Sequence, residues 1–177
     1  MIVAFEGPDR SGKTTLRDDV LRLIKEMNPG LQVLTYKLEE KPVDDTNVAF
    51  YQYKGVFDLA KQNPKALIIM DRSYLSELVY SGVKRDYDSL NSAKYVEFRI
   101  RKDLLVVYVK TDPSVIKQRI KTVGDDYITT DDVDPIVERY DDAIAMTAHS
   151  YLNIDGAGDR GLNAEEVVGT IIELMNK

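Results

Sequence analysis

Gly7-Pro8-Asp9-Arg10-Ser11-Gly12-Lys13-Thr14, with Thr15 behind it, is the stretch on which the fold turns. It follows the pattern G-x-x-x-x-G-K-[ST] at every fixed position. The five residues before it, Ile-Val-Ala-Phe-Glu at 2–6, form an apolar run that stops at Gly7, which predicts a buried strand. After it, Leu16, Val20, Leu23 and Met27 recur along one face of a helix, and Asn28-Pro29-Gly30 ends that helix. A strand, a glycine loop and a helix in that order are what phosphate binding requires. The glycines let backbone amides close around phosphate oxygens. The helix start adds the positive end of its dipole. Lys13 is placed to bridge the outer phosphates of a nucleotide, and Thr14 to offer a hydroxyl to Mg²⁺.

Working outward, strands are predicted over 31–36, 66–70, 104–109 and 151–154. Helices are predicted over 48–62, 75–81 and 92–102, and from Asp112-Pro113, a cap with proline at the first helical position, through Ile120. The residues Val133, Ile136, Val137, Tyr140 and Ile144 restore the helical period, and Asn163 with Glu166 resembles a capping pair for a last helix. Residues 123–132 have no period and many acids, which predicts a loop. Strands alternating with helices mean βαβ units. The expectation is an α/β fold, a three-layer α/β/α sandwich with a five-stranded parallel sheet of the P-loop kinase type, and one domain over 1–177.

Composition narrows the function. The 177 residues carry 24 Lys and Arg against 30 Asp and Glu, a net charge of −6, and the basic residues are scattered among acids, so nucleic acid is not the expected partner. No cysteine is present, which excludes disulfides, thiolate catalysis and Cys-ligated zinc. The start, MIVAFEG, lacks a basic region before an apolar stretch, and no apolar run approaches the ~20 residues that span a bilayer. A cytoplasmic protein without a membrane partner is the expectation.

Switch GTPases share this phosphate loop but read guanine through N-K-x-D, and the only Asn-Lys pair here is Asn176-Lys177. Asp71-Arg72-Ser73, at the end of a predicted strand, points instead to a small-molecule kinase. A carboxylate there can hold Mg²⁺ or orient the acceptor, and the next arginine can bind the acceptor's charge.

With those residues in hand, the chain resembles thymidylate kinases and related deoxynucleoside monophosphate kinases over essentially its whole length. Four stretches carry the likeness: Phe5-Glu6-Gly7 leading into 9–15; residues 71–84, which align with the family's D-R-Y segment and include Ser76, Tyr80 and Gly82; Lys37-Leu38-Glu39-Glu40-Lys41, placed like R-F-P-E-R; and Phe50-Tyr51-Gln52-Tyr53-Lys54, placed like F-x-x-x-R. Lys stands for Arg in the last two, and Ser73 stands where the family has tyrosine.

The resemblance implies transfer of the ATP γ-phosphate, with Mg²⁺, to a deoxynucleoside 5′-monophosphate, most naturally dTMP, dUMP or a 5-modified dUMP. It assigns catalysis to Arg10, Lys13, Asp71 and Arg72. It assigns nucleotide binding to Gly7, Arg10, Ser11, Gly12, Lys13, Thr14, Thr15 and Arg119, and metal binding to Thr14 and Asp71. Asp9 would accept from the sugar 3′-hydroxyl. Lys37 and Arg72 would clamp the acceptor phosphate. Ser76 is placed at the substrate, and Tyr80 where a ribose 2′-hydroxyl would sit. Phe50 and Lys54, four apart on one helical face, would stack on the base and meet its edge. The expected lid, about 122–132, contains no arginine, which matches an arginine inside the phosphate loop; its Tyr127 would touch the sugar. The family also implies a homodimer.

Two other readings stand beside this one. Asp-Arg-Ser is similar to the E-R-S segment of deoxynucleoside kinases, which phosphorylate the 5′-hydroxyl. A non-enzymatic ATP-binding regulator is the third, opposed by intact Lys13, Arg10, Asp71 and Arg72. His149, the only histidine, has no expected catalytic part, and the acids of 125–134 lack the spacing of a calcium loop.

Overall fold

The structure is a computed structural model; it describes residues 1–37, 46–85, 89–100 and 104–176, with the side chains of 46–52, 99 and 100 outside the description. In chain order the elements are β1 (Ile2–Glu6), α1 (Lys13–Met27), β2 (Val33–Lys37), α2 (Thr46–Gln62), β3 (Leu67–Asp71), α3 (Tyr74–Lys84), α4 (Leu90–Ile100), β4 (Leu104–Lys110), α5 (Pro113–Val123), α6 (Val133–Met146), β5 (Ser150–Asp155) and α7 (Arg160–Met175). All strand pairings are parallel, in the order β2-β3-β1-β4-β5.

Alternation along β1 explains the layers. Ile2 and Ala4 point into a cluster with α2, α3, α4, α5 and α6, while Val3 and Phe5 point into one with α1 and α7. Both faces of the central strands are therefore buried, which is why their sequences are continuous apolar runs rather than alternating ones. Each such side chain contributes about 1.5–3 kcal/mol. The glycine loop leaves the carboxyl end of the central strand. Lys37 and Asp71 end neighbouring strands and are register partners, so three strand ends converge on one rim of the sheet.

Several boundaries differ from the sequence reading. β2 starts at Val33, not Leu31, because the Leu31 N–H closes a turn on the Asn28 carbonyl (3.1 Å). α3 runs on to Lys84 and α4 starts at Leu90. α5 continues to Val123, where Gly124 at φ 79° stops it, so Thr122 and Val123 belong to the helix and the loop is 124–132. The last helix begins at Arg160. Its cap is Asp159, which accepts from the Leu162 N–H, and Asn163 lies inside the first turns with its amide donating to the Asp155 carbonyl (2.8 Å). The cap at Asp112 is as expected, its carboxylate accepting from the Ser114 N–H (2.8 Å). Lys102 and residues 38–41 lie outside the described residues. Among the described residues no helix is long and apolar enough to cross a membrane.

Candidate active site

The phosphate loop is positioned by close backbone packing. Gly7 (φ 144°) has no room for a side chain, since a Cβ there would lie 2.6 Å from the Val109 carbonyl oxygen. Gly12 (φ 101°) begins α1 with no side-chain cap. The first-turn amides of Lys13, Thr14 and Thr15 therefore lack intrahelical partners. They line a cleft of about 580 Å³ that continues past Arg119 and Asp125 to the turn after β5. At that far end Gly156 touches the loop; a Cβ would stand 2.1 Å from Thr111 Oγ1 and 2.3 Å from the Ser11 carbonyl. The Thr111 hydroxyl in turn donates to the Ser11 carbonyl (2.9 Å), while buried Ser11 Oγ has no partner among the described residues. Arg119 ties the far end to the loop, donating to the carbonyls of Arg10 (2.8 Å) and Gly156 (3.2 Å).

Lys13 is buried in the loop, with its ammonium 3.5 Å from the Pro8 carbonyl. Burial, then the neighbouring charge of Arg72, pushes it down to about 8, against the pull of Asp9, Asp71 and Glu6. Arg10 sits in the left-handed region (φ 63°) and reaches across the cleft to Asp125 (Nε to Oδ2, 3.1 Å). The cation of the phosphate loop and the 124–132 loop thus meet directly.

The other half of the site is a side-chain network around Arg72, which is also left-handed (φ 72°). One guanidinium nitrogen, Nη2, donates to Asp9 and to the Tyr80 hydroxyl (3.5 Å). The other, Nη1, donates to the hydroxyls of Ser76 (3.2 Å) and Tyr140 (3.0 Å) and to the Gly7 carbonyl (3.4 Å). Tyr80 donates to the second oxygen of Asp9 (2.8 Å). Burial raises the Asp9 carboxyl, but the charges of Arg72 and Lys13 with the bonds from Tyr80 and Arg72 outweigh it, and the net shift is downward. Burial works against the charge on Arg72 too, yet Tyr140, Tyr80, Asp9 and Glu6 hold it firmly protonated.

Asp71 ends β3, buried, with one oxygen on Arg17 of α1 (2.5 Å). No bond to its other oxygen or to the exposed Thr14 hydroxyl occurs among the described residues, so a carboxylate oxygen and a hydroxyl remain available to a divalent cation. Lys37 is exposed at the end of β2. Tyr127 lies on Tyr80 (ring centroids 5.8 Å) with the Lys84 ammonium 5.9 Å above it. Lys84 also pairs with Asp132 (2.9 Å), so the loop 124–132 is fastened to α3. Lys54 is exposed and pairs along its own helix with Asp58 (3.4 Å). The Phe50 side chain lies outside the described residues. His149 is buried beside Tyr74, away from these contacts, and its Nε2 has no partner among the described residues.

Residues 5–158 match the thymidylate kinase family. The chain belongs to that family. It is a nucleotide kinase. Among relatives, the chain is 30% identical over 154 residues to the SPbeta prophage-derived uncharacterized protein YorR of Bacillus subtilis (strain 168), covering 85% of this chain and 86% of that one. It is 26% identical over 142 residues to a thymidylate kinase of Finegoldia magna, covering 67% and 70%. The fold matches the crystal structure of YorR in complex with phosphorylated GDP at TM-score 0.77, with 23% identity over 99% of this chain and 98% of that chain. It also matches a deoxyadenosine kinase from M. mycoides, with products dCMP and a flexible dCDP bound, at TM-score 0.62 and 18% identity over 98% and 100%.

Four parts of this family member's site escaped the sequence reading. Glu6 was visible as a carboxylate closing an otherwise apolar strand. The Gly156-Ala157-Gly158 run after the last strand signalled a close backbone approach. Tyr140 read as one more apolar position on α6, and Arg17 gave no signal at all.

Proposed function

We propose that this enzyme transfers the ATP γ-phosphate to a deoxynucleoside 5′-monophosphate, with dTMP, dUMP or a 5-substituted dUMP as the acceptor. The observation that carries the reading is Arg72, which is held over the Gly7 carbonyl at the mouth of the phosphate loop by bonds from both of its terminal nitrogens. A guanidinium fixed there meets both the transferring group and an acceptor phosphate. Lys37, at the end of the neighbouring strand, supplies a second cation on the acceptor side. Arg10 supplies charge over the equatorial oxygens of the transferring group, where it develops in the transition state. Tyr80, bonded to Asp9, is read as standing where a ribose 2′-hydroxyl would sit. Residues 124–132 act as the lid, with Tyr127 above the sugar. Thr14 and Asp71 would hold Mg²⁺, which would supply positive charge against the phosphates when bound. The chain is read as one kinase domain, and as a homodimer by family likeness; sedimentation of the purified chain checks the latter.

The test is ADP release with ATP and Mg²⁺ across dTMP, dUMP, 5-hydroxymethyl-dUMP, dCMP, dGMP and thymidine. Turnover of a pyrimidine deoxynucleoside monophosphate is expected. Rapid phosphorylation of thymidine with none of dTMP would replace this reading with a nucleoside kinase acting on the 5′-hydroxyl, the reading that Ser73 after Asp71-Arg72 favours.

A further inference from the structure

Glu6 is fully buried at the end of β1, yet it is the acceptor at the centre of a dense set of bonds. Oε1 accepts from the Ser73 N–H (2.5 Å) and the Ser73 hydroxyl (2.6 Å). Oε2 accepts from the hydroxyls of Ser76 (2.5 Å) and Tyr140 (3.3 Å). Those last two hydroxyls are also the acceptors for Arg72 Nη1, and they lie 2.8 Å from each other. Each hydroxyl has one proton. An arginine can only donate, so both must turn their lone pairs toward Arg72 and send their protons elsewhere. Among the described residues the one carboxylate oxygen bonded to both is Glu6 Oε2, which takes the Ser76 proton directly and the Tyr140 proton either directly or through the Ser76 oxygen.

We propose that Glu6 is a positioning residue for the transferring step: its carboxylate orients the Ser76 and Tyr140 hydroxyls so that they receive and aim the Arg72 guanidinium. Through Ser73 it also holds the residue that follows Arg72, and so keeps the left-handed turn at Arg72 in register with the phosphate loop. Among the described residues no hydrogen bond joins Glu6 to Arg72; beyond the pull of its charge, Glu6 acts on the guanidinium through the two hydroxyls. The inference rests on the role given to Arg72 in the proposed function.

Glu6→Gln is the informative variant. Its amide keeps one oxygen for the Ser73 N–H but presents N–H protons to Ser76 and Tyr140. Both hydroxyls then reverse, and their protons face the arginine. A misplacement of about an ångström at a reacting group can cost ~10²-fold. Glu6→Gln is therefore expected to lower kcat/KM for dTMP by roughly tenfold to a hundredfold while leaving the KM for ATP within about twofold.

The decisive measurement is a cycle with Ser76→Ala/Tyr140→Phe. With both hydroxyls gone, adding Glu6→Gln is expected to lower kcat/KM for dTMP several-fold less than it does in the wild-type background, since the hydroxyl route to Arg72 is gone and only the hold through Ser73 remains. An undiminished loss in that background, or a loss that falls equally on ATP and dTMP, overturns the proposal. If Glu6→Gln does not fold, the hydroxyl pair alone decides: unchanged kcat/KM for dTMP in Ser76→Ala/Tyr140→Phe overturns it. Arg72→Ala separates the two levels. If Arg72→Ala keeps full kcat/KM for dTMP, the proposed function fails along with this inference. If it is impaired and the cycle is additive, only the role of Glu6 fails.

Discussion

The two halves of the active site are held by different means. On the nucleotide side, position comes from the main chain: Gly7 lies against the Val109 carbonyl, Gly156 against the Ser11 carbonyl, and α1 starts uncapped. On the acceptor side, position comes from side chains: Arg72 is gripped by Asp9, Tyr80, Ser76 and Tyr140, with Glu6 behind them. Main-chain geometry of this kind tolerates many side chains and depends on a few glycines. A side-chain network tolerates backbone variation but depends on every donor finding its acceptor. The first half should fail through shape and the second through polarity.

The largest expected effect tests a nucleotide-side residue that acts by its side chain. Arg10→Ala should lower kcat by ~10³-fold with little change in either KM, because a preplaced guanidinium matters most when charge spreads over the transferring group. Steady-state kinetics decides it, and a change confined to KM would make Arg10 a ground-state binder.

Gly156→Ala tests shape alone. The added methyl meets Thr111 and Ser11 well inside contact distance, so the loop must shift. Such overpacking costs about 1–3 kcal/mol, read as a lower urea midpoint. The KM for ATP should rise while the KM for dTMP holds; equal rises would erase the distinction between the halves.

Lys54→Ala tests base reading. Thymine presents an O4 acceptor where cytosine presents an amino donor. If Lys54 leaves Asp58 to meet that edge, the preference for dTMP over dCMP should drop about tenfold in the variant, in line with a lost hydrogen bond worth ~1–3 kcal/mol. An unchanged ratio of kcat/KM values removes Lys54 from the base.

The smallest effect is on pH. Burial, and then the charge of Arg72, pushes the Lys13 ammonium down to about 8. Nucleotide phosphates favour the charged form. Below about pH 8 the lysine is already protonated and binding costs nothing extra. Above it, binding must take up a proton, so ATP affinity should fall by at most ~tenfold per pH unit. Calorimetry near pH 8 in two buffers of different ionisation enthalpy reads the uptake directly, and no difference between buffers would contradict it.

The same division explains what could be read from the sequence. The parallel sheet and the phosphate loop were legible because each is written locally: apolar runs for buried strands, glycines at fixed spacing for the loop. Arg72 and Asp9 were legible individually, through short motifs. Their mutual ion pair was not, because it joins residues 63 apart. The bond from Tyr140 to Glu6 spans 134 residues and has no local signature. Asn163 misled because an Asn three residues before a Glu looks like a cap, whereas Asp159 makes the cap and Asn163 braces the turn after β5. The loop expected from Thr122 starts two residues further on, because β-branched Thr122 and Val123 read as loop beside the acids, while Gly124 sets the real stop.

Arg10 and Arg72 are the only described residues other than glycine with positive φ. A left-handed turn costs a side-chain-bearing residue about 1–2 kcal/mol that glycine escapes. At Arg10, where the half-exposed pair with Asp125 contributes at most ~1 kcal/mol, glycine is the better residue for folding. Repeated selection of variants for heat resistance alone should therefore replace Arg10 by glycine or asparagine. Selection coupled to turnover should retain arginine there at the expense of melting temperature. Sequencing the survivors of the two regimes would measure how much folding stability this enzyme gives up to keep a cation at its phosphates.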